Sequence, residues 1–219
     1  MAEIARVREL AKALCLMNIA NGTIDLTDET ASNLDYICRI FEQEVNCRKA
    51  NRIKELLTLS RLPRASFDHS GISPGLEWQL TQINAFNYRE EHQNILIVGE
   101  CATGKTTLAA EIGRKAIERN TRVVYVTTED LLIAAKRKNT NWKKLLKSDL
   151  IVLDELFYMT PTNEELTLLY KSVMFLMESR SFIFVTNRML SDWAKMNTDP
   201  HLTETFRKRI MTGTQVIHL

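Results

Sequence analysis

The spacing of hydrophobic positions changes once along the chain. Over residues 1–62, apolar residues recur every three or four positions, in one stripe that begins at Ile4 and a second that begins at Leu34. This spacing predicts two amphipathic helices separated by the sequence NGTID, with Thr27 capping the second helix. Prolines and glycines are then concentrated in RLPRASFDHSGISPG. We therefore predict a small all-helical domain over residues 1–66.

After this boundary, short apolar runs alternate with helical patterns. The runs NILIVG, RVVYV, DLIVLDEL, SFIFVTN and TQVIHL are typical of buried strands, and most segments between them have the spacing of amphipathic helices. Unbroken apolar strands that alternate with helices indicate a parallel sheet covered on both faces. The sequence thus predicts an α/β domain over residues 67–219.

A glycine-bracketed loop, GECATGKTT, joins the first predicted strand to the helical segment KTTLAAEIGRKAIERN. In the pattern G-x-x-x-x-G-K-[ST], backbone N–H groups converge on phosphate oxygens, and the following helix adds its positive N-terminal end. The lysine neutralises phosphate oxygens as a point charge. The residues that we expect to contact the phosphates are Gly99, Glu100, Cys101, Ala102, Thr103, Gly104, Lys105, Thr106 and Thr107.

Two adjacent carboxylates, Asp154 and Glu155, follow four apolar residues at the end of a predicted strand. Ligands of open α/β sheets bind outside this end of the strands. Because two buried carboxylates without a partner would be costly, we expect a cation to face them. A nucleotide-bound Mg²⁺ would be that cation, held by Thr106 and Asp154, while Glu155 polarises the attacking water. The alternative is an acidic pair that caps a helix.

Asn187 ends the next apolar strand, where its amide could orient a water molecule against the γ-phosphate of ATP. The alternative is an ordinary turn residue.

Composition indicates a cytoplasmic protein without a membrane segment. The formal net charge is only +2, and the four cysteines form no C-x-x-C pair. Such cysteines are typical of reduced cytosolic thiols. The sequence has no apolar run of the ~18–20 residues that span a bilayer, and the charged N-terminus does not resemble a signal peptide.

Positive charge is concentrated in two stretches, CRKANRIK and KRKNTNWKKLLK, and the second contains no acidic residue. Lysine and arginine bind DNA by displacing counterions from its phosphates. Because no base-reading motif is present, we expect contacts with the sugar-phosphate backbone of double-stranded DNA. The alternative is a solvated helix face, and we expect Trp142 to belong to a core or an interface. The candidate DNA contacts are Arg48, Lys49, Arg52, Lys136, Arg137, Lys138, Lys143, Lys144 and Lys147.

Several motifs together resemble one family. They are EVNCRKANRIKELLTLSRLP, the loop GECATGKTTLA, VVYVTTEDLL, DLIVLDELFYMTPTNEE and FIFVTNRMLSDWAKMNTDPHLTETFRKRI. The chain resembles the IstB/DnaC branch of the AAA+ ATPases, most closely the IstB-type helpers of insertion sequences. This resemblance implies an AAA+ core with a five-stranded parallel sheet of order 5-1-4-3-2. It also implies ATP and Mg²⁺ as ligands, homo-oligomers on double-stranded DNA, and an IstA-type transposase as partner.

The resemblance also assigns roles to residues. Gly99, Gly104, Lys105 and Thr106 match Walker A, Asp154 and Glu155 match Walker B, and Asn187 matches sensor 1. Arg209 matches the arginine that reaches a neighbour's nucleotide. Arg207 is the second candidate, because Lys208 replaces the aspartate of the family's D-R-L motif.

Two departures from the family's pattern affect these expectations. Ala102 replaces a glycine of the common loop and would be strained at a positive φ. The family's sensor 2 segment would follow the final strand, and the sequence ends at Leu219 before it.

Two other functions compete with the transposition helper. A replicative helicase loader of the DnaC/DnaI type has the same ATPase core but carries a helicase-binding N-terminal domain. A monomeric P-loop enzyme, such as a small-molecule kinase, would have no use for TNRMLSDW or for the basic region. We favour the helper.

Overall fold

The computed structural model describes residues 2–219, which divide into two compact units, one that ends at residue 55 and one over residues 56–219. The helices of the first unit are α1 Ala2–Ala13, α2 Met17–Ala20 and α3 Ala31–Ser60, the last of which continues beyond residue 55. Its small core is formed by buried side chains of Val7, Leu26, Leu34 and Cys38. The sequence predicted the helical character of this region, whereas the boundary near residue 66 stays a prediction.

The second long helix begins later than the sequence predicted. Thr30, and not Thr27, precedes its first turn, and the Thr30 hydroxyl accepts a hydrogen bond of 3.2 Å from the Asn33 N–H. The N–H of Thr27 instead donates to the Asp25 carboxylate at 2.9 Å. An aspartate that bonds the backbone two residues on stabilises a turn, which delays the helix.

The second unit alternates strands and helices. Its strands are β1 Asn94–Val98, β2 Val123–Thr127, β3 Leu150–Asp154, β4 Ser181–Thr186 and β5 Thr214–His218. Its helices are α4 Pro74–Asn84, α5 Lys105–Glu118, α6 Thr128–Arg137, α7 Thr140–Lys147, α8 Asn163–Met177, α9 Leu190–Trp193 and α10 Pro200–Met211. The five predicted strands are therefore confirmed. Helix α4 was missed, because its first residues, Pro74 and Gly75, were assigned to a boundary; proline is favourable at this first helical position.

The five strands form one parallel sheet in the order β2-β3-β4-β1-β5. This order confirms the AAA+ arrangement 5-1-4-3-2. Strands β1, β3 and β4 are buried along their whole length, as expected for a sheet covered on both faces. Val98 of β1 pairs with Thr186 of β4, and Asp154 of β3 pairs with Thr127 of β2. The loops that follow these strands consequently meet at one edge of the sheet.

No helix among residues 2–219 is long and apolar enough to cross a membrane. The four cysteines are free thiols.

Candidate nucleotide-binding site

The glycine-bracketed loop lies between β1 and the N-terminus of α5, which begins at Lys105. The positive end of this 14-residue helix therefore faces the space beside the loop. Gly104 has φ = +87°, and Ala102 has φ = +66°. The strain expected for Ala102 is thus present, since a left-handed conformation is unfavourable for a residue with a Cβ.

Gly99 is required by close approach, and Gly104 by its left-handed backbone together with a tight contact. A Cβ on Gly99 would lie 2.2 Å from the backbone oxygen of Leu219, and one on Gly104 would lie 3.1 Å from the Phe67 ring. Neither position has room for a larger residue without movement of its neighbours. The loop backbone therefore packs closely against its neighbours at both glycines.

Lys105 is buried, with 8 % of its surface exposed. Its Nζ donates to the backbone oxygen of Glu100 and, at 3.3 Å, to the Thr103 hydroxyl. These acceptors hold the ammonium group inside the loop. A phosphate bound there would be a stronger, charged acceptor for the same group.

Asp154, at the end of β3, is buried and accepts three hydrogen bonds within the chain. Its Oδ2 accepts from the Thr106 hydroxyl at 2.8 Å and from the Tyr125 hydroxyl at 2.8 Å. Its Oδ1 accepts from the Glu155 N–H at 2.7 Å. Burial, and then the charge of Asp154, raise the pKa of Tyr125, so its hydroxyl stays a donor. Sequence reasoning missed Tyr125, although a tyrosine within an apolar strand calls for a hydroxyl partner.

Glu155 differs from the expectation. We expected both carboxylates to be buried, but only Asp154 is, and Glu155 is exposed at the rim of the cleft. The chain turns sharply directly after β3, with φ = +58° at both Glu155 and Phe157. This turn directs Phe157 into the core against Trp193 and leaves Glu155 at the surface. Three neutral hydrogen-bond donors stabilise the buried Asp154 carboxylate, so the expected pair of unpartnered buried carboxylates is not present.

Asn187, directly after β4, lies across the cleft from the loop. Its Nδ2 is 3.4 Å from the Cys101 sulfur, and its Oδ1 is buried without a hydrogen-bond partner among the described residues. An unpaired buried acceptor costs free energy unless a water or ligand fills the need. A cleft of ≈ 160 Å³ brings together Cys101, Ala102, Lys105, Thr106, Asp154, Glu155, Tyr158 and Asn187.

A larger cavity of ≈ 540 Å³ lies on the other side of the loop, between residues 66–76, residues 102–107 and the end of the chain at His218 and Leu219. Its volume lies in the range of small-molecule sites. Helix α5 holds the residues just before this wall, because Arg114 donates to the backbone oxygens of Pro63, at 2.6 Å, and Ala65, at 3.0 Å. The sequence analysis did not predict this cavity, because it interpreted residues 66–75 only as part of a domain boundary.

The two basic stretches differ in their partners. In the first, Arg48 pairs with Glu44 at 2.7 Å and Arg52 pairs with Glu55 at 2.8 Å. In the second, Trp142 is buried in the core and stacks on Phe175, as expected for a core tryptophan. The exposed cations of this second stretch are Lys136, Arg137, Lys138, Lys143 and Lys147, whereas Lys144 is half-buried in a hollow beside β2.

The two arginine candidates on α10 also differ. Arg207 donates twice to the Glu204 carboxylate, at 2.8 and 2.7 Å, and this pairing raises its pKa. Arg209 is exposed and has no ion pair with any residue from 2 to 219. Arg209 is therefore the arginine that is free to reach another molecule.

Comparison with known proteins agrees with this geometry. An insertion sequence IS21 ATP-binding protein of Pseudomonas aeruginosa is 25 % identical over 196 residues, which cover 84 % of this chain and 74 % of that protein. An insertion sequence ATP-binding protein of Sinorhizobium fredii is 31 % identical over 179 residues, 77 % of this chain and 60 % of that protein. The crystal structure of DnaI superposes with a TM-score of 0.56 at 20 % identity, over 75 % of this chain and 93 % of that one.

The fold is thus that of the AAA+ domains of replication proteins. The model of the IstB-like ATP binding protein family matches residues 6–219, nearly the whole sequence. The chain belongs to the family of IstB-like ATP binding proteins.

Proposed function

We propose that this protein is an ATP-dependent helper of transposition. It binds and hydrolyses ATP in the domain of residues 67–219, assembles with copies of itself on duplex DNA, and recruits or stimulates an IstA-type transposase. Its free thiols suit the cytoplasm. The observation that carries the proposal is the 2.8 Å hydrogen bond between Thr106 and Asp154, which joins the phosphate loop to the acidic strand end in one cleft.

The donor set of this cleft suits magnesium. Mg²⁺ is usually bound by one or two carboxylates together with substrate phosphates and waters, and not by an all-protein cage. Thr106 and Asp154 supply such a partial set of hard oxygens, and the described residues contain no group of three or more His, Cys, Asp or Glu that could hold a metal alone. When bound with ATP, the ion would neutralise charge that develops on the phosphate oxygens.

Each side chain of the cleft then has a role in hydrolysis. When ATP binds, the ammonium group of Lys105 leaves the backbone oxygen of Glu100 and donates to the β- and γ-phosphate oxygens. Glu155, exposed at the rim, accepts hydrogen bonds from the attacking water. Asn187, directly after β4, orients that water with its side-chain amide. Arg209 from a second copy supplies a second cation, beside Lys105, for the charge on the transferred phosphoryl group.

The exposed cations of the second basic stretch are the proposed contacts with duplex DNA. They lie at the end of α6 and along α7, and no acidic residue stands among them. The paired Arg48 and Arg52, with the exposed Lys49, form the second candidate contact. The second candidate function, a helicase loader, would have the same ATPase core. The similarity to DnaI supports only the shared fold. The family match favours the helper.

Two variants separate nucleotide binding from hydrolysis. Lys105→Ala should lose binding of a fluorescent ATP analogue, because the phosphates lose their charged donor. Glu155→Gln should bind the analogue normally and release phosphate at about 1 % of the parental rate or less, a loss of the size seen for electrostatic catalytic groups. Lys171→Ala, an exposed lysine on α8, is the matched control and should change neither quantity. Parental hydrolysis by Glu155→Gln would refute the role given to Glu155.

A further inference from the structure

Three elements fix the carboxylate of Asp154 from three sides. Thr106 donates from α5, the Glu155 N–H donates from the end of β3, and Tyr125 donates from β2. An ionised carboxylate offers about four lone-pair positions. Three of the four are therefore used within the chain, and one remains for a metal ion or a metal-bound water.

Of these three hydrogen bonds, the one from the Tyr125 hydroxyl is not required by any general nucleotide-binding motif. Tyr125 pairs with Val152, two residues before Asp154, so the two side chains lie on the same face of the sheet. Its hydroxyl reaches Oδ2 at 2.8 Å and has no other hydrogen-bond partner among residues 2–219. The neighbouring strand residues Val123, Val124 and Val126 are apolar, so a phenylalanine would satisfy the packing equally well.

We propose that Tyr125 is a positioning residue, which turns the Asp154 carboxylate so that its one free lone pair faces the magnesium of bound ATP. This inference rests on the proposed function. Tyr125 itself does not contact the metal or the nucleotide and acts through Asp154. Thr106 cannot fill the role alone, because its oxygen is also a candidate metal ligand. Side chains that orient a ligating group in this way commonly change metal affinity 10–100-fold when they are lost.

The test uses Tyr125→Phe, which removes only the hydroxyl. Tyr170→Phe on α8 is the matched control, because its ring packs on Phe206 outside the cleft. The measurement is binding of a fluorescent ATP analogue to the full chain over a range of Mg²⁺ concentrations and in excess EDTA. For Tyr125→Phe, the Mg²⁺ concentration at half-maximal effect should rise about tenfold. Its affinity in EDTA should stay within about twofold, since the phosphate loop is intact. Tyr170→Phe should match the parent in both conditions.

A double-mutant cycle with Asp154→Asn shows whether Tyr125 acts through the carboxylate. In the Asp154→Asn background, Tyr125→Phe should cause no further change in the magnesium dependence, because coupled residues are not additive. Equal effects in both backgrounds, or an unchanged Mg²⁺ midpoint in Tyr125→Phe, would overturn the inference while leaving the proposed function intact. A parental protein whose nucleotide binding ignores Mg²⁺ would instead overturn the proposed magnesium site itself.

Discussion

Several polar side chains of the nucleotide cleft are hydrogen-bonded within the chain, whereas most cations of the second basic stretch are exposed to solvent. In the cleft, Lys105, Thr106 and Asp154 are each hydrogen-bonded inside the chain. In the stretch, Arg137, Lys143 and Lys147 are exposed and form no ion pair with any residue from 2 to 219. The cleft is preorganised before any ligand arrives, which is what electrostatic catalysis requires. The stretch keeps its charge available for an anion outside the chain.

The same contrast occurs within one helix. Arg207 and Arg209 are two residues apart on α10, so their side chains do not face the same side. Arg207 is held by Glu204, whereas Arg209 extends into solvent. An arginine that stabilises its own chain is expected to have an acidic partner in that chain, as Arg207 has. An arginine that contacts the nucleotide of a neighbouring subunit should have no acidic partner in its own chain.

The largest expected effect tests this pair of arginines. Arg209→Ala should lower the DNA-stimulated rate of ATP hydrolysis about 1,000-fold, because an arginine supplied by a neighbour is worth roughly 10³–10⁵ in rate. Arg207→Ala should lower it less than about tenfold, since it loses only a surface pair. Phosphate release at saturating ATP and duplex DNA measures both, and both variants should still bind ATP. The reverse ranking would assign the role to Arg207.

A smaller effect compares the two basic stretches. Changing Lys143 and Lys147 together to Gln should lower the slope of log K against log salt by about 1.8, because each lost phosphate contact contributes about 0.9. Changing Arg48 and Arg52 together to Gln should lower it by less than about 0.9, since their charge is already compensated by Glu44 and Glu55. Fluorescence anisotropy on two unrelated duplexes gives these slopes. A larger change for the arginines would move the DNA contact to the first stretch.

The smallest effect concerns the loop backbone. Ala102→Gly should stabilise the protein by up to about 1 kcal/mol, because relief of a left-handed alanine (about 1–2 kcal/mol) outweighs the greater chain entropy of glycine. The matched control is Ala85→Gly at the end of α4, where φ is an ordinary −84°. That control should destabilise by about 0.4–1 kcal/mol, through the greater conformational entropy of glycine in the unfolded chain. Urea unfolding in the absence of nucleotide measures both changes, and equal signs would contradict the strain at Ala102.

Much of the fold could be predicted because its determinants are local in sequence. Apolar runs give the strands, and the glycine spacing gives the loop before α5. The left-handed residue after α5, Asn120, was also predictable from its residue type, and it has φ = +62°. The start of α3 was mispredicted because an Asp25 turn competes with the Thr27 cap.

The features that the sequence did not reveal depend on distant contacts. Tyr125 and Asp154 meet only because β2 pairs with β3, and Phe67 meets Gly104 only because the segment before α4 folds back on the loop. The exposure of Glu155 follows from a positive φ in a non-glycine residue, which sequence patterns do not signal. The separate environments of Arg207 and Arg209 likewise depend on helix geometry.

The central claim is that one chain carries a preorganised site and a neighbour completes it. The most direct measurement is ATP hydrolysis by an equimolar mixture of Glu155→Gln and Arg209→Ala on duplex DNA. Both variants should bind ATP, and about a quarter of randomly mixed interfaces would combine an intact Glu155 with an intact neighbouring Arg209. The account therefore predicts that the mixture recovers about a quarter of the parental rate. Arg209→Ala mixed with the double variant Glu155→Gln/Arg209→Ala should recover nothing. A mixture no more active than its separate components would contradict the shared site.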